Sequence, residues 1–260
     1  IPIAGIAGDQ HAALFGQGCL AVGDAKCTYG TGAFLLVNVG SKPVASRFGL
    51  LSTLGFQAGG EVTYALEGSV FIAGAAVQWL RDGLGVVGSA KEIEALARSV
   101  PDSGGVSFVP ALSGLGAPYW DADARGLIAG ITRGTTRAHL ARATLDAIAL
   151  SVNDVVQAMR DDLGRPIERL RVDGGAAEND LLMELQAGLS GMTVERPQDL
   201  ESTARGAAML AGLGAGLYAH ASEAAKIVKL DRAFPANMKD AERASRLSAW
   251  HQAVGRARSR

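Results

Sequence analysis

With 260 residues, 48% of them hydrophobic and 20% charged, the chain can bury a sizeable core without staples and is neither disordered nor fibrous. Its 25 basic and 26 acidic side chains leave a net charge of −1, which argues against a polyanion-binding surface and so against nucleic acid as a partner. Glycine is the anomaly: 34 residues, about 13% against roughly 7% in average usage, without a three-residue period. Many positions must therefore need unusual backbone angles or close backbone approach. Cys19 and Cys27 make no disulfide framework and no zinc ligand set, so a reducing cytoplasm is expected. No apolar run nears the roughly 20 residues that cross a bilayer, so no membrane helix is expected. The start, Ile1-Pro2-Ile3-Ala4-Gly5, has no initiator Met and no basic n-region, which predicts a chain cut from a longer one.

Short β segments separated by glycine turns are predicted at Ala25 to Tyr29, Ala33 to Val39, Leu50 to Phe56 and Glu61 to Leu66, pairing as hairpins around Gly30-Thr31-Gly32 and Ala58-Gly59-Gly60. From Gly68 to Leu84 the apolar side chains recur at helical spacing, which predicts a half-buried helix. A second helix is expected from Lys91 to Val100, stopped by Pro101, then a strand from Gly105 to Pro110 and a loop from Ser113 to Trp120. Thr136 to Leu163 is the longest helical pattern, closed by Gly164 and Pro166. A strand at Leu170 to Val172, a glycine turn at Gly174-Gly175 and a helix from Asp180 to Leu189 come next. Thr193 to Glu195 is a small strand, and helices are expected from Thr203 to Tyr218 and from Lys239 to Arg256. Early strands and later α/β alternation imply one α/β domain with helices on a mixed sheet.

Gly83-Leu84-Gly85-Val86-Val87-Gly88 fits G-x-G-x-x-G, but it comes after a helix instead of a strand, so a dinucleotide fold is not expected. Walker A, H-E-x-x-H and G-x-S-x-G sequences are absent, which removes P-loop NTPases, common zinc peptidases and ordinary serine hydrolases. Two glycine turns suit phosphate. At Thr28-Tyr29-Gly30-Thr31-Gly32 the missing Cβ atoms would let backbone N–H groups converge on an anion, with Thr31 adding a hydroxyl. Gly174-Gly175 precedes a helix N-terminus, whose free N–H groups favour an anion or a nucleotide edge. Each could equally be an ordinary tight turn.

A hairpin phosphate loop, a helix and a strand-Gly-Gly-helix unit, in this order, resemble the C-terminal half of an actin-like ATPase fold. The segments Gly5-Ile6-Ala7-Gly8-Asp9-Gln10, Thr28-Tyr29-Gly30-Thr31-Gly32 with Phe34, Ala65-Leu66-Glu67-Gly68 and Gln78-Trp79-Leu80-Arg81-Asp82 are similar to the FGGY carbohydrate kinase family. Ser113-Gly114-Leu115-Gly116-Ala117-Pro118-Tyr119-Trp120-Asp121 and Leu170-Arg171-Val172-Asp173-Gly174-Gly175 point to its glycerol-phosphorylating branch. The resemblance covers nearly the whole chain but only the C-terminal half of the family's length. It implies an α/β actin-like (ribonuclease H-like) domain with helices on both faces, ATP and Mg2+ as cofactors, and glycerol as substrate. It also implies a cytoplasmic, homo-oligomeric intact enzyme, with a second phosphate loop, a metal-binding carboxylate and an Arg-Glu pair supplied by the other half.

By the same resemblance Asp9 is the catalytic base, Gln10 partners a glycerol hydroxyl and Phe34 packs on the glycerol carbons. Thr31 contacts the nucleotide phosphates, Gly74 and Gln78 lie near ribose or phosphate, and Gly175 with Asn179 holds the adenosine side. From the residues alone, Asp9 could instead cap the helix after it, Gly74 could serve helix–helix packing, and Asn179 could either cap its helix or contact ligand.

Overall fold

Strand β1 (Ala25–Tyr29) turns through Gly30–Gly32 into the antiparallel β2 (Ala33–Gly40), and a second hairpin joins β3 (Leu51–Ala58) to β4 (Glu61–Val70). The computed structural model describes residues 2–259. Among them a seven-stranded sheet runs β3-β4-β2-β1-β7-β8-β9, completed by β7 (Arg169–Asp173), β8 (Thr193–Pro197) and β9 (Leu230–Phe234). β1, β7 and β8 are parallel and the other pairings antiparallel, the mixed sheet anticipated from the alternation of elements. A small pair, β5 (Ser107–Val109) with β6 (Leu127–Ala129), stands apart.

The two-residue period of β2 divides its side chains between two layers. Leu35 and Val37 enter the main core beneath α4 (Arg137–Leu163), while Leu36 packs with Leu14 of α1 (Asp9–Gly16) on the opposite face. Helices α2 (Gly74–Asp82), α3 (Glu92–Arg98), α5 (Asp180–Ser190) and α8 (Asp240–Ala257) share the α4 side, and α6 (Ser202–Gly214) crosses α1 on the other. Helices therefore cover both faces. α4 starts where the Thr136 N–H donates to His139 Nδ1 (3.1 Å) and ends at Gly164 with φ 62°. Its buried Asp154 accepts from Tyr119 Oη (2.8 Å) and Trp250 Nε1 (2.6 Å) and lies 3.1 Å from His251 Nε2, which fastens α8 and the 113–120 loop to the core helix.

Two boundaries depart from the hydrophobic pattern. The helix expected from Gly68 begins at Gly74, because Gly68, Ser69 and Val70 remain in the ladder opposite Leu35, Phe34 and Ala33. Pairing with β2 outweighs the helical spacing of their side chains. The helix expected to reach Tyr218 stops at Gly214, after which Gly216 turns with φ 76° and the Tyr218 ring comes back against Gly212. β6, the 3-10 turn Gly175–Glu178 and α7 (Ala221–Ala224) carry too few residues to show a period, β9 is exposed except at Phe234, and the sequence pattern announces none of them. Gly83 to Gly88 joins α2 to α3, so the G-x-G-x-x-G match has no strand before it.

Candidate active site

Two glycine turns and the Gly74 end of α2 meet at the C-terminal ends of the parallel strands β1 and β7, the edge where open α/β sheets take ligands. The hairpin tip is tied to α2: Thr31 O accepts from the N–H groups of Ala73 (2.8 Å) and Ala75 (3.0 Å), and Gly30 O accepts from Gly74 N (3.0 Å). A Cβ on Gly74 would lie 2.6 Å from Gly30 O, so this glycine serves the approach of α2 to the hairpin, not helix–helix packing. Gly174, with φ 82°, sits so close to β1 that a Cβ would lie 2.5 Å from Tyr29 O and 2.9 Å from its carbonyl carbon. Gly175 differs: its φ is ordinary and a Cβ there would meet nothing within 4 Å.

Thr31, Gln78 and Gly175 are exposed around this junction, and Gln78 lies one helical turn after Gly74 on the same face of α2. Asn179 caps α5, its Oδ1 accepting from Leu182 N (2.9 Å), so the capping role is met and only the amide nitrogen is left to face outward. Asp9 is not the helix cap. Gly8 holds that position, and Asp9 is the first helical residue, exposed, with Oδ1 accepting from Gln10 N (2.8 Å). Thr203 of α6 donates to Asp9 O (3.3 Å), and Arg205 Nε donates to Gly16 O (2.9 Å), so α6 holds both ends of α1.

Register places the residues expected at the substrate end on one face. Phe34 is opposite Thr28, Leu36 is opposite Lys26, and this side of both strands lies under α1. Phe34 is half-buried there. Lys26 is fully buried; its Nζ donates to Gln10 Oε1 and to Thr28 Oγ1 (2.9 Å). Burial pulls the Lys26 pKa below that of an ordinary lysine, opposed by the nearby Asp173, Cys27, Cys19 and Glu67. Asp173, 1% exposed, ends β7 on the same face, where Oδ2 accepts from Gln17 Nε2 (3.2 Å) and Oδ1 is buried without a partner. Nothing in the sequence pattern singles out Lys26, Gln17 or Asp173. In an alternating strand such as Ala25-Lys26-Cys27-Thr28-Tyr29, a lysine looks like a solvent-facing position until a helix is laid over it.

A cleft of about 1170 Å3 between the β3–β4 hairpin and α6 borders Gly8 and His11 but neither Asp9 nor Gln10. Asp9, Thr31, Gln78 and Gly175 are all exposed at the surface. A mixed sheet with helices on both faces and glycine turns at the ends of its parallel strands is the architecture of an actin-like domain, which by itself does not assign the chemistry. The structure of a Plasmodium falciparum glycerol kinase with ADP superposes with a TM-score of 0.91 at 37% identity, covering 96% of this chain and 50% of that one. A gluconate kinase from Lactobacillus acidophilus shares the fold at 21% identity and TM-score 0.81, over 94% and 49% of the two chains. Residues 25–215 match the profile of the FGGY family of carbohydrate kinases, C-terminal domain, and the chain belongs to that family. It is 58% identical over 256 residues to a glycerol kinase of Dechloromonas aromatica (strain RCB), covering 98% of this chain and 51% of that protein. The chain thus spans about half the length of the curated relatives it matches.

Proposed function

We propose that residues 1–260 form the C-terminal, nucleotide-binding half of a kinase that transfers the γ-phosphoryl group of ATP to glycerol, giving sn-glycerol 3-phosphate. The observation that carries this reading is the 58% identity to a glycerol kinase over 98% of the chain. The geometry is in keeping with it. Phosphoryl transfer to an alcohol needs a carboxylate within reach of the attacking hydroxyl, and otherwise positioning and electrostatics. Asp9 provides the carboxylate: Gln10 N–H steadies Oδ1, and Oδ2 is left to take the hydroxyl proton. Gln10 presents its amide to a glycerol oxygen and Phe34 covers the carbon chain. At the other end Thr31 and the hairpin N–H groups meet the phosphates, Gly74 and Gln78 the ribose side, and Gly175 with Asn179 the adenosine.

Among the described residues no three His, Cys, Asp or Glu side chains gather into a metal cage. The resemblance gives the metal-binding carboxylate to the other half of the protein, and a magnesium ion would come with the nucleotide phosphates. Bound in this way, Mg2+ supplies charge neutralisation on the phosphates. The Arg and Glu that would grip glycerol from the opposite wall belong to the other half of the protein.

The test is steady-state kinetics of the full-length protein carrying this chain, with glycerol, xylulose and gluconate as competing acceptors. Glycerol should give the highest kcat/KM; preference for either sugar substrate overturns the substrate assignment. Asp9→Asn should lower kcat by about 10² or more while nucleotide affinity is kept, since loss of a general base commonly costs about 10²–10⁴. An unchanged kcat removes Asp9 from the chemistry.

A further inference from the structure

Lys26 has no assigned part in the reaction, yet its position is costly. A lysine with no exposed surface has lost the water around its ammonium, and such a group persists only where the protein replaces that solvation. Its replacements are specific. The side chain leaves β1 on the face covered by α1 and donates to Gln10 Oε1 on that helix and to Thr28 Oγ1 on its own strand, and the buried carboxylate of Asp173 acts on it from the neighbouring strand. All three groups adjoin segments assigned to the reaction site, Asp173 ending β7 just before Gly174. Thr28 opens the phosphate hairpin, and Gln10 is next to Asp9.

An ammonium has only donors, so Gln10 must turn its carbonyl oxygen inward to meet it. The amide NH2 is then the end left free of the ammonium, available as a donor. A free glutamine on the first turn of a helix would rotate about three side-chain bonds, and an amide flip would exchange donor for acceptor. The buried lysine removes that choice.

We propose that Lys26 is a positioning residue: by holding Gln10 Oε1 from below, it fixes the Gln10 amide as a hydrogen-bond donor to a hydroxyl oxygen of the polyol substrate. This rests on the placement of Gln10 at the substrate end, and the experiment separates the two ideas. Lys26 does not touch substrate. Its effect on glycerol passes through Gln10, whereas its hydrogen bond to Thr28 belongs to the phosphate hairpin and is read by the ATP KM, so the glycerol consequences of removing either side chain must overlap.

The test is a double-mutant cycle in the full-length kinase, with KM for glycerol, KM for ATP and kcat measured for wild type, Lys26→Met, Gln10→Ala and the double variant. Met keeps the length of the lysine stem and fills the same buried space. Lys26→Met should raise the glycerol KM about tenfold and leave the ATP KM within about twofold. In the Gln10→Ala background it should add nothing. A Gln10→Ala variant with wild-type glycerol KM defeats the placement of Gln10, whatever Lys26 does. Given a Gln10 effect, the lysine proposal is overturned by a normal glycerol KM in Lys26→Met, by the same fold-rise with or without Gln10, or by equal losses at the ATP end. Gln10→Glu serves if the methionine variant does not fold, because it keeps an oxygen for the ammonium and exchanges the NH2 donor for a charged acceptor oxygen. It should lose glycerol affinity as Gln10→Ala does without losing melting temperature; a wild-type glycerol KM in that variant refutes the orientation argument.

Discussion

Gly175→Ala separates ligand contact from fold more cleanly than any other change at the glycine junction. The added Cβ meets no protein atom within 4 Å and Gly175 lies outside the left-handed region, so neither collision nor backbone strain opposes it. Replacing glycine at a compatible position stabilises by about 0.4–1 kcal/mol through the unfolded chain, so the melting temperature should hold or rise. If the adenosine moiety rests against this backbone, the methyl occupies space that the ligand needs. Overpacking of that kind costs about 1–3 kcal/mol, or about 5- to 150-fold in nucleotide Kd. Isothermal titration of the full-length protein with ATP reads the proposed nucleotide end, and glycerol KM serves as control because Asp9 and Gln10 open α1 and Phe34 lies on the sheet face under it. Gly174→Ala provides the contrast: its Cβ would press on Tyr29 O at 2.5 Å with φ 82°, so it should damage fold and binding together. A folded Gly175→Ala protein with unchanged ATP affinity would falsify the nucleotide assignment of Gly175 and, with it, that of Asn179.

The 260-residue chain by itself should bind nucleotide weakly and show no turnover with glycerol in a coupled ADP-release assay, because one wall cannot enclose the transferred group; robust turnover refutes the half-site reading. Gly206→Ala drives a Cβ into the Ala12 carbonyl oxygen where α6 crosses α1, and should cost about 1–3 kcal/mol, seen as a lower melting temperature at about 2–4 °C per kcal/mol. Since α1 carries Asp9, glycerol turnover should fall with it, and a wild-type melting curve shows that the helices can move apart freely. The hydrogen bond to Asp154 raises the His251 pKa above its ordinary 6.5, with burial opposing. The protonated form is therefore favoured by folding, so the stabilisation is full below about pH 6.5 and fades as pH rises through the raised value. The side chain is 57% exposed, which limits the effect to about 0.2–1 kcal/mol. Urea melts of wild type against His251→Gln should differ more at pH 5.5 than at pH 8.5, and a constant difference refutes the pairing.

How far each element can be read from the sequence depends on the range of its signal. The strands at β1 and β2 and the 27-residue α4 are legible because their periods run for five residues or more and glycines punctuate them. The pattern of β4 breaks off at Leu66 because its last residues, Gly68 to Val70, share a helical spacing with α2, and only the partner strand β2 settles their conformation. The glycine junction can be read from the sequence because a missing Cβ is itself the local signal, although its object differs by position. Gly74 makes room for the protein's own hairpin, and Gly175 makes room for nothing in the protein.

The polar layer between the sheet and α1 has no such signal. Lys26 and Asp173 are far apart in the chain, yet β1 and β7 pair in parallel with Thr28 beside Asp173, and Gln10 and Gln17 lie at opposite ends of one short helix. No spacing in the sequence joins these four. They meet because α6 clamps α1 across the sheet, through Thr203 at Asp9 and Arg205 at Gly16. The same clamp sets where Asp9 stands relative to the phosphate hairpin. On the proposed function, substitutions in α6 should therefore alter glycerol kinetics through the tilt of α1, while ATP affinity, assigned to the glycine junction on β1, β7 and α2, stays unchanged.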